Sequence, residues 1–170
     1  MFPRRYWAVA IAALASCSPK PGEVTLLVPE PMLGVVDALD ADWEAVGAEV
    51  TRLSVVSTGP GVPLLLAALE AMPALCDADA PEGTLVAGCV TWMHGSETEP
   101  RAIYIAADSA FSVLDLVRHE LGHVFNPSAA HLDAADGCPD PSDLLAEPPH
   151  TMCLRAGPTL TPADAAFVAR

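Results

Sequence analysis

Apolar residues form two kinds of pattern along the first half of the chain, short continuous runs and a repeat at helical spacing. Val24 to Val28 and Val50 to Val56 are short apolar runs with the length and composition of strands. Between them, from Met32 to Val46, apolar side chains recur at helical spacing. This order predicts two parallel strands, with the connecting helix packed across one face of their sheet.

The pattern then continues through a short helix and a hairpin. After a break at Thr58 to Gly61, the segment Leu64 to Ala71 predicts a short helix. Thr84 to Trp92 and Ala102 to Ala106 are apolar, β-branched or aromatic runs on either side of a polar turn. Two such runs predict a hairpin.

A longer amphipathic helix is predicted from Ser109 to Phe125, where apolar side chains again recur at helical spacing. Asp108 or Ser109 can cap its start. Asn126 and Pro127 end it, and the chain from there to Pro158 predicts irregular structure because it is rich in Pro, Asp and Gly.

A second, shorter helix is predicted at the C-terminus, from Pro162 to Val168, with Thr161 as its N-cap and Asp164 in its first turn. Together these elements predict an α+β fold with an α/β-like N-terminal part. A mixed, twisted sheet packs on helices, and an irregular C-terminal part ends in a helix. Residues 23–170 are expected to form a single domain of ordinary size.

Residues 1–16 have the parts of a bacterial signal peptide. Arg4 and Arg5 precede an apolar stretch, Tyr6 to Ala15, that is too short to span a bilayer. The stretch runs into Leu14-Ala15-Ser16-Cys17, which resembles a lipobox, the cleavage pattern before a lipidated cysteine. An ordinary signal peptide followed by a chance cysteine is the alternative.

The lipobox resemblance implies an exported protein that is lipid-anchored through Cys17, with residues 17–22 as the lipidated cysteine and a short linker. Its location would be the cell envelope, at the outer membrane in a Gram-negative organism, or the cell surface. The membrane is then a partner through the anchor. The chain has 8 basic and 22 acidic residues, and this strongly acidic balance argues against nucleic acid as a partner.

Four cysteines remain besides Cys17, enough for two disulfides, which export would permit. Three connectivities are open, and pairing between sequence neighbours favours Cys76 with Cys89 and Cys138 with Cys153. A second zinc site is the competing interpretation. The absence of any CxxC spacing in the sequence disfavours it.

The strongest chemical signal is His119-Glu120-Leu121-Gly122-His123, followed by His131. Residues four apart on a helix project from one face, so His119 and His123 can reach one metal ion. Zinc held by three protein ligands keeps a fourth position for water, the mark of a catalytic site. Glu120, beside the first ligand, is placed to take the proton of that water.

With strands and a helix before this motif and a methionine after it, the mature chain resembles a small metzincin metallopeptidase. That family has the pattern HExxHxxGxxH and a later methionine-containing turn. The resemblance implies Zn²⁺ as cofactor, His119, His123 and His131 as ligands, and Glu120 as general base. Met152 would be the methionine of the turn, in a zincin-like domain.

Two features depart from the family pattern. Asn126 replaces the glycine, and His131 lies two residues later than the third histidine of the pattern. Asn is the best substitute for glycine in a left-handed turn, so Asn126 is expected to reverse the chain there. Other candidates for the third ligand are Asp133, Asp136 and His150, and a gluzincin-like arrangement would need Glu147.

The resemblance implies a zinc-dependent metalloendopeptidase that hydrolyses peptide bonds. The strand Thr84 to Trp92 would form the edge of the cleft and pair with an extended peptide or protein substrate. A lipid-anchored zinc-binding or interaction lipoprotein without turnover is the alternative, which the presence of Glu120 disfavours. A monomer is the default expectation.

Overall fold

A computed structural model describes residues 23–46, 52–76, 85–96, 99–126, 131–140, 148, 150–153, 157 and 160–168 of the 170-residue chain. The predicted signal peptide, Cys17 and the linker lie outside the described residues, and so does Glu147. Among the described helices, none has the length and apolar character needed to cross a membrane.

Five strands form one mixed sheet, as the predicted α+β fold requires. They are β1 (Glu23–Leu27), β2 (Arg52–Val56), β3 (Val62–Ala67), β4 (Gly88–Trp92) and β5 (Pro100–Ala106). Their order across the sheet is β2-β1-β3-β5-β4. All neighbours are parallel except β4, which pairs antiparallel with β5 and forms one edge.

Within the described ranges, four α-helices accompany the sheet. They are α1 (Leu33–Ala45), α2 (Met72–Leu75), α3 (Val113–Phe125) and α4 (Pro162–Val168). The strand, helix and parallel strand predicted for the first half are confirmed in β1, α1 and β2. The hairpin of β4 and β5 is confirmed too, although its first strand begins at Gly88.

The helix predicted for Leu64 to Ala71 is wrong, because most of that segment lies in β3. Periodicity cannot separate a short buried strand from a short helix in so brief an apolar run. Tertiary pairing decides it: β3 lies between two parallel neighbours, with Leu26 opposite Val62 and Leu64 opposite Ile103. Only Leu69 to Ala71 is helical, as a single 3-10 turn.

The start of α3 also differs from the prediction. The helix begins at Val113, and its N-cap is Ser112, whose hydroxyl accepts a hydrogen bond from the Asp115 N–H at 3.4 Å. Asp108 instead accepts the Leu69 N–H at 2.7 Å. That carboxylate therefore ties together the loops that follow β3 and β5, a long-range contact that no local pattern encodes.

Two clusters of buried side chains fill the interior. The larger lies between the sheet and the helices and contains Leu26, Leu39, Leu64, Ile103, Ile105 and Leu121 among others. The second, here called the C-terminal cluster, contains Trp43, Leu132, Cys138, Met152, Cys153 and Ala165. Trp43 belongs to α1, so the first helix of the domain supports its irregular C-terminal part.

Ion pairs and disulfides connect the helices, the sheet and the C-terminal part. The buried Arg118 guanidinium of α3 forms ion pairs with Asp42 of α1 and with Asp115, each at 2.8 Å. The two disulfides favoured from sequence proximity are both present. Cys76–Cys89 ties the end of α2 to β4, and Cys138–Cys153 lies in the irregular C-terminal part.

Candidate metal centre

Three imidazoles converge where α3 meets the C-terminal part of the chain. His119 and His123 lie one turn apart on α3, with their Nε2 atoms 3.3 Å apart. The Nε2 atom of His131 lies 3.1 Å from that of His119 and 3.2 Å from that of His123. Within the described part of the chain, this is the one group of side chains arranged to hold a metal ion.

The spacing of these nitrogens suits a small divalent ion. Tetrahedral zinc with bonds of about 2.0–2.1 Å to nitrogen separates its ligand atoms by about 3.3–3.4 Å. The three measured separations, 3.1, 3.2 and 3.3 Å, lie close to that range. The three histidines are therefore positioned to bind a metal ion.

A backbone carbonyl fixes the ring of His119. Its Nδ1 lies 2.6 Å from the Thr151 carbonyl oxygen in a buried environment. A carbonyl can only accept, so Nδ1 carries the proton and the lone pair of Nε2 faces the other two imidazoles. Such a partner on the far nitrogen is the usual way in which a metal-binding histidine is oriented.

Burial keeps all three imidazoles neutral. Desolvation lowers the pKa of His119 to about 4, although the Thr151 carbonyl and, more weakly, Asp164 act in the opposite direction. Burial also lowers the pKa of His123 to about 3, and the neighbouring histidines add to that shift. The pKa of His131 is lowered for the same reason. Neutral imidazole is the form that binds a metal.

Glu120 lies between His119 and His123 in the sequence of α3, and its side chain is buried. Burial raises the pKa of its carboxyl group to about 8, so this group can exchange protons near neutral pH. Its Oε1 faces Gly88 at the start of β4, and a Cβ at position 88 would lie only 2.6 Å from that oxygen. The edge strand therefore passes directly over Glu120.

Met152 lies against the same helix from the other side. Its side chain is fully buried, and its sulfur packs on Gly122 so closely that no Cβ would fit there. The Met152 carbonyl accepts the Leu132 N–H at 3.0 Å, which joins this turn to the residue that follows His131. The methionine thus contacts the helix between its two histidines.

The other candidates for a third ligand have different roles. The Asp133 carboxylate accepts the Ala135 N–H, and the Asp136 carboxylate accepts the Asp133 N–H, so both stabilise a 3-10 turn. The ring nitrogens of His150 lie 2.8 Å from the Thr161 hydroxyl and 2.8 Å from the Asp136 carbonyl. None of these side chains joins the group that can hold an ion.

Asn126 does not adopt the left-handed conformation expected of it. Its φ is −132° and its ψ is 86°, while its N–H still bonds to the Gly122 carbonyl, so it ends α3 with a negative φ. The longer connection to His131 removes the need for an immediate reversal at this position. Residues 127–130 lie outside the described part of the chain.

Three functional contacts were missed at the sequence level. Gly88 and Gly122 give Glu120 and Met152 their space, and a glycine inside a helix or strand was the available signal. The buried Asp164 carboxylate accepts the Met152 N–H at 2.7 Å and both the N–H and the hydroxyl of Thr161 at 2.8 Å. Its signal was the T-x-x-D spacing of a capping box.

Comparison with known proteins adds no family to this description. No model of a known protein family matches the sequence, and none of the curated proteins compared with it matches either. The interpretation of the site therefore rests on its own geometry.

Proposed function

We propose that this protein is a zinc-dependent metalloendopeptidase. The observation that carries the proposal is the convergence of three neutral imidazoles, with Nε2 atoms 3.1–3.3 Å apart, together with the buried carboxyl group of Glu120, which directly follows His119 on α3. His119, His123 and His131 would hold the ion. Three nitrogen ligands and one open position are the ligand set of catalytic zinc.

When bound, zinc supplies Lewis-acid activation of water and of a carbonyl group, the chemistry that peptide hydrolysis requires. The protein contributes the proton transfers. Glu120 takes a proton from the attacking water on a carboxylate oxygen and then gives it to the departing amine. The Thr151 carbonyl keeps the His119 ring oriented throughout, because it accepts the proton of Nδ1.

The substrate proposed for this site is an extended peptide or protein segment. Among the described strands β4 lies at the edge of the sheet, where a peptide segment would pair through main-chain hydrogen bonds. Gly88 of that strand packs on Glu120. A peptide that lengthened the sheet at β4 would therefore run past the carboxyl group that performs the proton transfers.

We also propose that the domain acts outside the cytoplasm on a lipid tether at Cys17. The lipobox-like segment and the two disulfides support this placement. The tether would hold the peptidase at the cell envelope, where its partners are the membrane and exported or surface peptides.

The central experiment measures peptide hydrolysis by purified protein with zinc, after chelation, and after zinc is restored. Chelation should abolish cleavage and zinc should restore it. Glu120→Gln should retain its zinc yet lose about 10²–10⁴-fold in kcat/KM, the usual contribution of a general acid–base. Glu70→Gln is the matched control because Glu70 is exposed in a 3-10 turn and is in none of the contacts described for the site.

Equal cleavage by the wild-type protein and Glu120→Gln would refute the catalytic role of Glu120. A zinc-loaded wild-type protein that cleaves no member of a broad peptide library would refute the peptidase proposal. It would favour a zinc-binding or interaction lipoprotein without turnover.

A further inference from the structure

The third histidine is held by different means from the first two. His119 and His123 share the rigid frame of α3, but His131 begins a separate segment, residues 131–138, here called the ligand segment. Backbone contacts dock it on the Met152 turn, defined as residues 150–153. The Leu132 N–H donates to the Met152 carbonyl at 3.0 Å, and Leu132 forms an isolated parallel bridge with Cys153.

A disulfide closes the same contact at its other end. Cys138 is the last residue of the ligand segment, and it is bonded to Cys153, directly after Met152. Both cysteines are buried in the C-terminal cluster, together with Leu132 and Met152. The ligand segment is therefore joined to the Met152 turn by a backbone hydrogen bond at Leu132, by the His150 bond to the Asp136 carbonyl and by a covalent bond at Cys138.

Hydrogen bonds within the ligand segment connect Cys138 to the residues next to His131, so the disulfide also restricts the position of His131. The Asp133 carbonyl accepts the Cys138 N–H at 3.0 Å, and the Asp133 carboxylate accepts the Ala135 N–H at 2.7 Å. A 3-10 turn from Ala134 to Asp136 lies inside this loop. Fixing Cys138 thus fixes Asp133, and with it the residue pair His131 and Leu132.

We propose that metal binding by the three histidines is coupled to oxidation of Cys138 and Cys153. The oxidised chain presents the complete three-histidine site. The dithiol chain retains His119 and His123 on α3 but holds the segment of His131 without a covalent bond. The contacts that remain are the Leu132 N–H bond to the Met152 carbonyl, the burial of Leu132 and the His150 bond to the Asp136 carbonyl, so this chain binds the metal more weakly. This coupling rests on the proposed zinc site and adds to it a dependence on the redox state of the compartment.

The oxidation step conserves atoms and electrons when a disulfide compound is the oxidant. Cys138 and Cys153 lose their two thiol protons and two electrons as the S–S bond forms. The oxidant takes up both and is released as two thiols. In a compartment that keeps thiols reduced, the metal site would stay incomplete.

The size of the coupling follows from the support that a metal ligand receives. Loss of the groups that orient a ligand lowers metal affinity by about 10–100-fold. Linkage is reciprocal, so zinc must make this disulfide harder to reduce by the same factor. For a two-electron couple each factor of ten corresponds to about 30 mV, which predicts a potential about 30–60 mV more negative with zinc.

Cys76–Cys89 is the internal control for both measurements. It ties α2 to β4 and makes no contact with the ligand segment or the Met152 turn among the described residues. Its removal should leave zinc affinity unchanged, and its reduction potential should not respond to zinc.

The first measurement compares zinc affinity by competition with a chromophoric chelator. The proteins are the oxidised wild type, Cys76→Ser/Cys89→Ser and Cys138→Ser/Cys153→Ser. We expect a 10–100-fold loss in the last of these alone. Equal affinity in all three would overturn the coupling, whereas an oxidised wild type that binds no zinc would overturn the metal site itself.

The second measurement needs no variant and so does not depend on how well the serine chain folds. The reduction potentials of both disulfides are measured in thiol–disulfide buffers, without zinc and at a fixed free zinc concentration. A negative shift confined to Cys138–Cys153 supports the coupling. No shift, a positive shift or an equal shift in both disulfides would overturn it.

Discussion

Single residues of the same type take opposite roles in this domain because their neighbours differ. His131 turns Nε2 toward two other imidazoles, and that nitrogen has no carbonyl or hydroxyl partner among the contacts described. His150 has both nitrogens occupied. Its Nδ1 lies 2.8 Å from the Thr161 hydroxyl, and its Nε2 donates to the Asp136 carbonyl at 2.8 Å.

This difference gives a prediction for two alanine variants. His131→Ala should lower zinc affinity by more than about 100-fold, beyond the loss expected for a supporting contact. His150→Ala should still bind one zinc ion per chain, although it should melt at a lower temperature because two hydrogen bonds are lost. Metal analysis and chelator competition on both variants measure this. The reverse pattern would identify His150 as the ligand.

At the scale of elements, the site depends on how closely a strand and a turn approach α3. Two glycines permit that approach: Gly88 of β4 lies against Glu120, and Gly122 of α3 lies against Met152. A glycine inside a helix normally costs about 1 kcal/mol relative to alanine. At Gly122 this cost in helix stability is offset because the Met152 turn packs closely on the helix that carries two of the histidines.

At this scale we predict that the effect of Gly122→Ala on Tm depends on whether Met152 is present. Gly122→Ala should lower Tm by several degrees, because overpacking typically costs about 1–3 kcal/mol. In a Met152→Ala background the same substitution should be neutral or stabilising, since the obstructing sulfur is gone. Gly34→Ala in α1, where a Cβ would meet nothing within 4 Å, should raise Tm.

Thermal melts test this prediction. The proteins are the wild type, Gly122→Ala, Met152→Ala, the double variant of these two, and Gly34→Ala. A Gly122→Ala substitution that lowers Tm equally in both backgrounds would contradict the proposed packing of Met152 on the helix.

Over the whole molecule, the metal site lies between the two clusters of the core. The large cluster lies beneath the sheet, whereas the C-terminal cluster is small and includes a disulfide. The three histidines connect α3 with the ligand segment across this division. A bound ion would therefore stabilise the folded chain as a whole.

Removal of the metal should lower the melting temperature substantially. Zinc at about 1,000 times its dissociation constant contributes about 4 kcal/mol of folding free energy. For a domain of this size that corresponds to roughly 8–16 °C. Calorimetry with and without a chelator measures the shift, and His119→Ala/His123→Ala should show none. An unchanged Tm in protein known to contain zinc would contradict this prediction.

The sequence by itself determined the features that depend on short-range geometry. Helical periodicity placed His119 and His123 one turn apart with Glu120 between them, and apolar runs of strand length located four of the five strands. Thr161 as N-cap, Pro162 at the first helical position and Asp164 in the first turn marked the start of α4. Proximity along the chain was enough to favour both disulfide pairs, because each closes a loop of 13 or 15 residues.

Only the tertiary structure decided the features that depend on distant partners. β3 is a strand because two parallel neighbours bond to it, and Asp108 bonds to Leu69 instead of capping α3. His131, among four candidates, completes the triad because the Met152 turn docks its segment beside α3. Periodicity records local backbone geometry, whereas these choices depend on contacts between residues far apart in the chain.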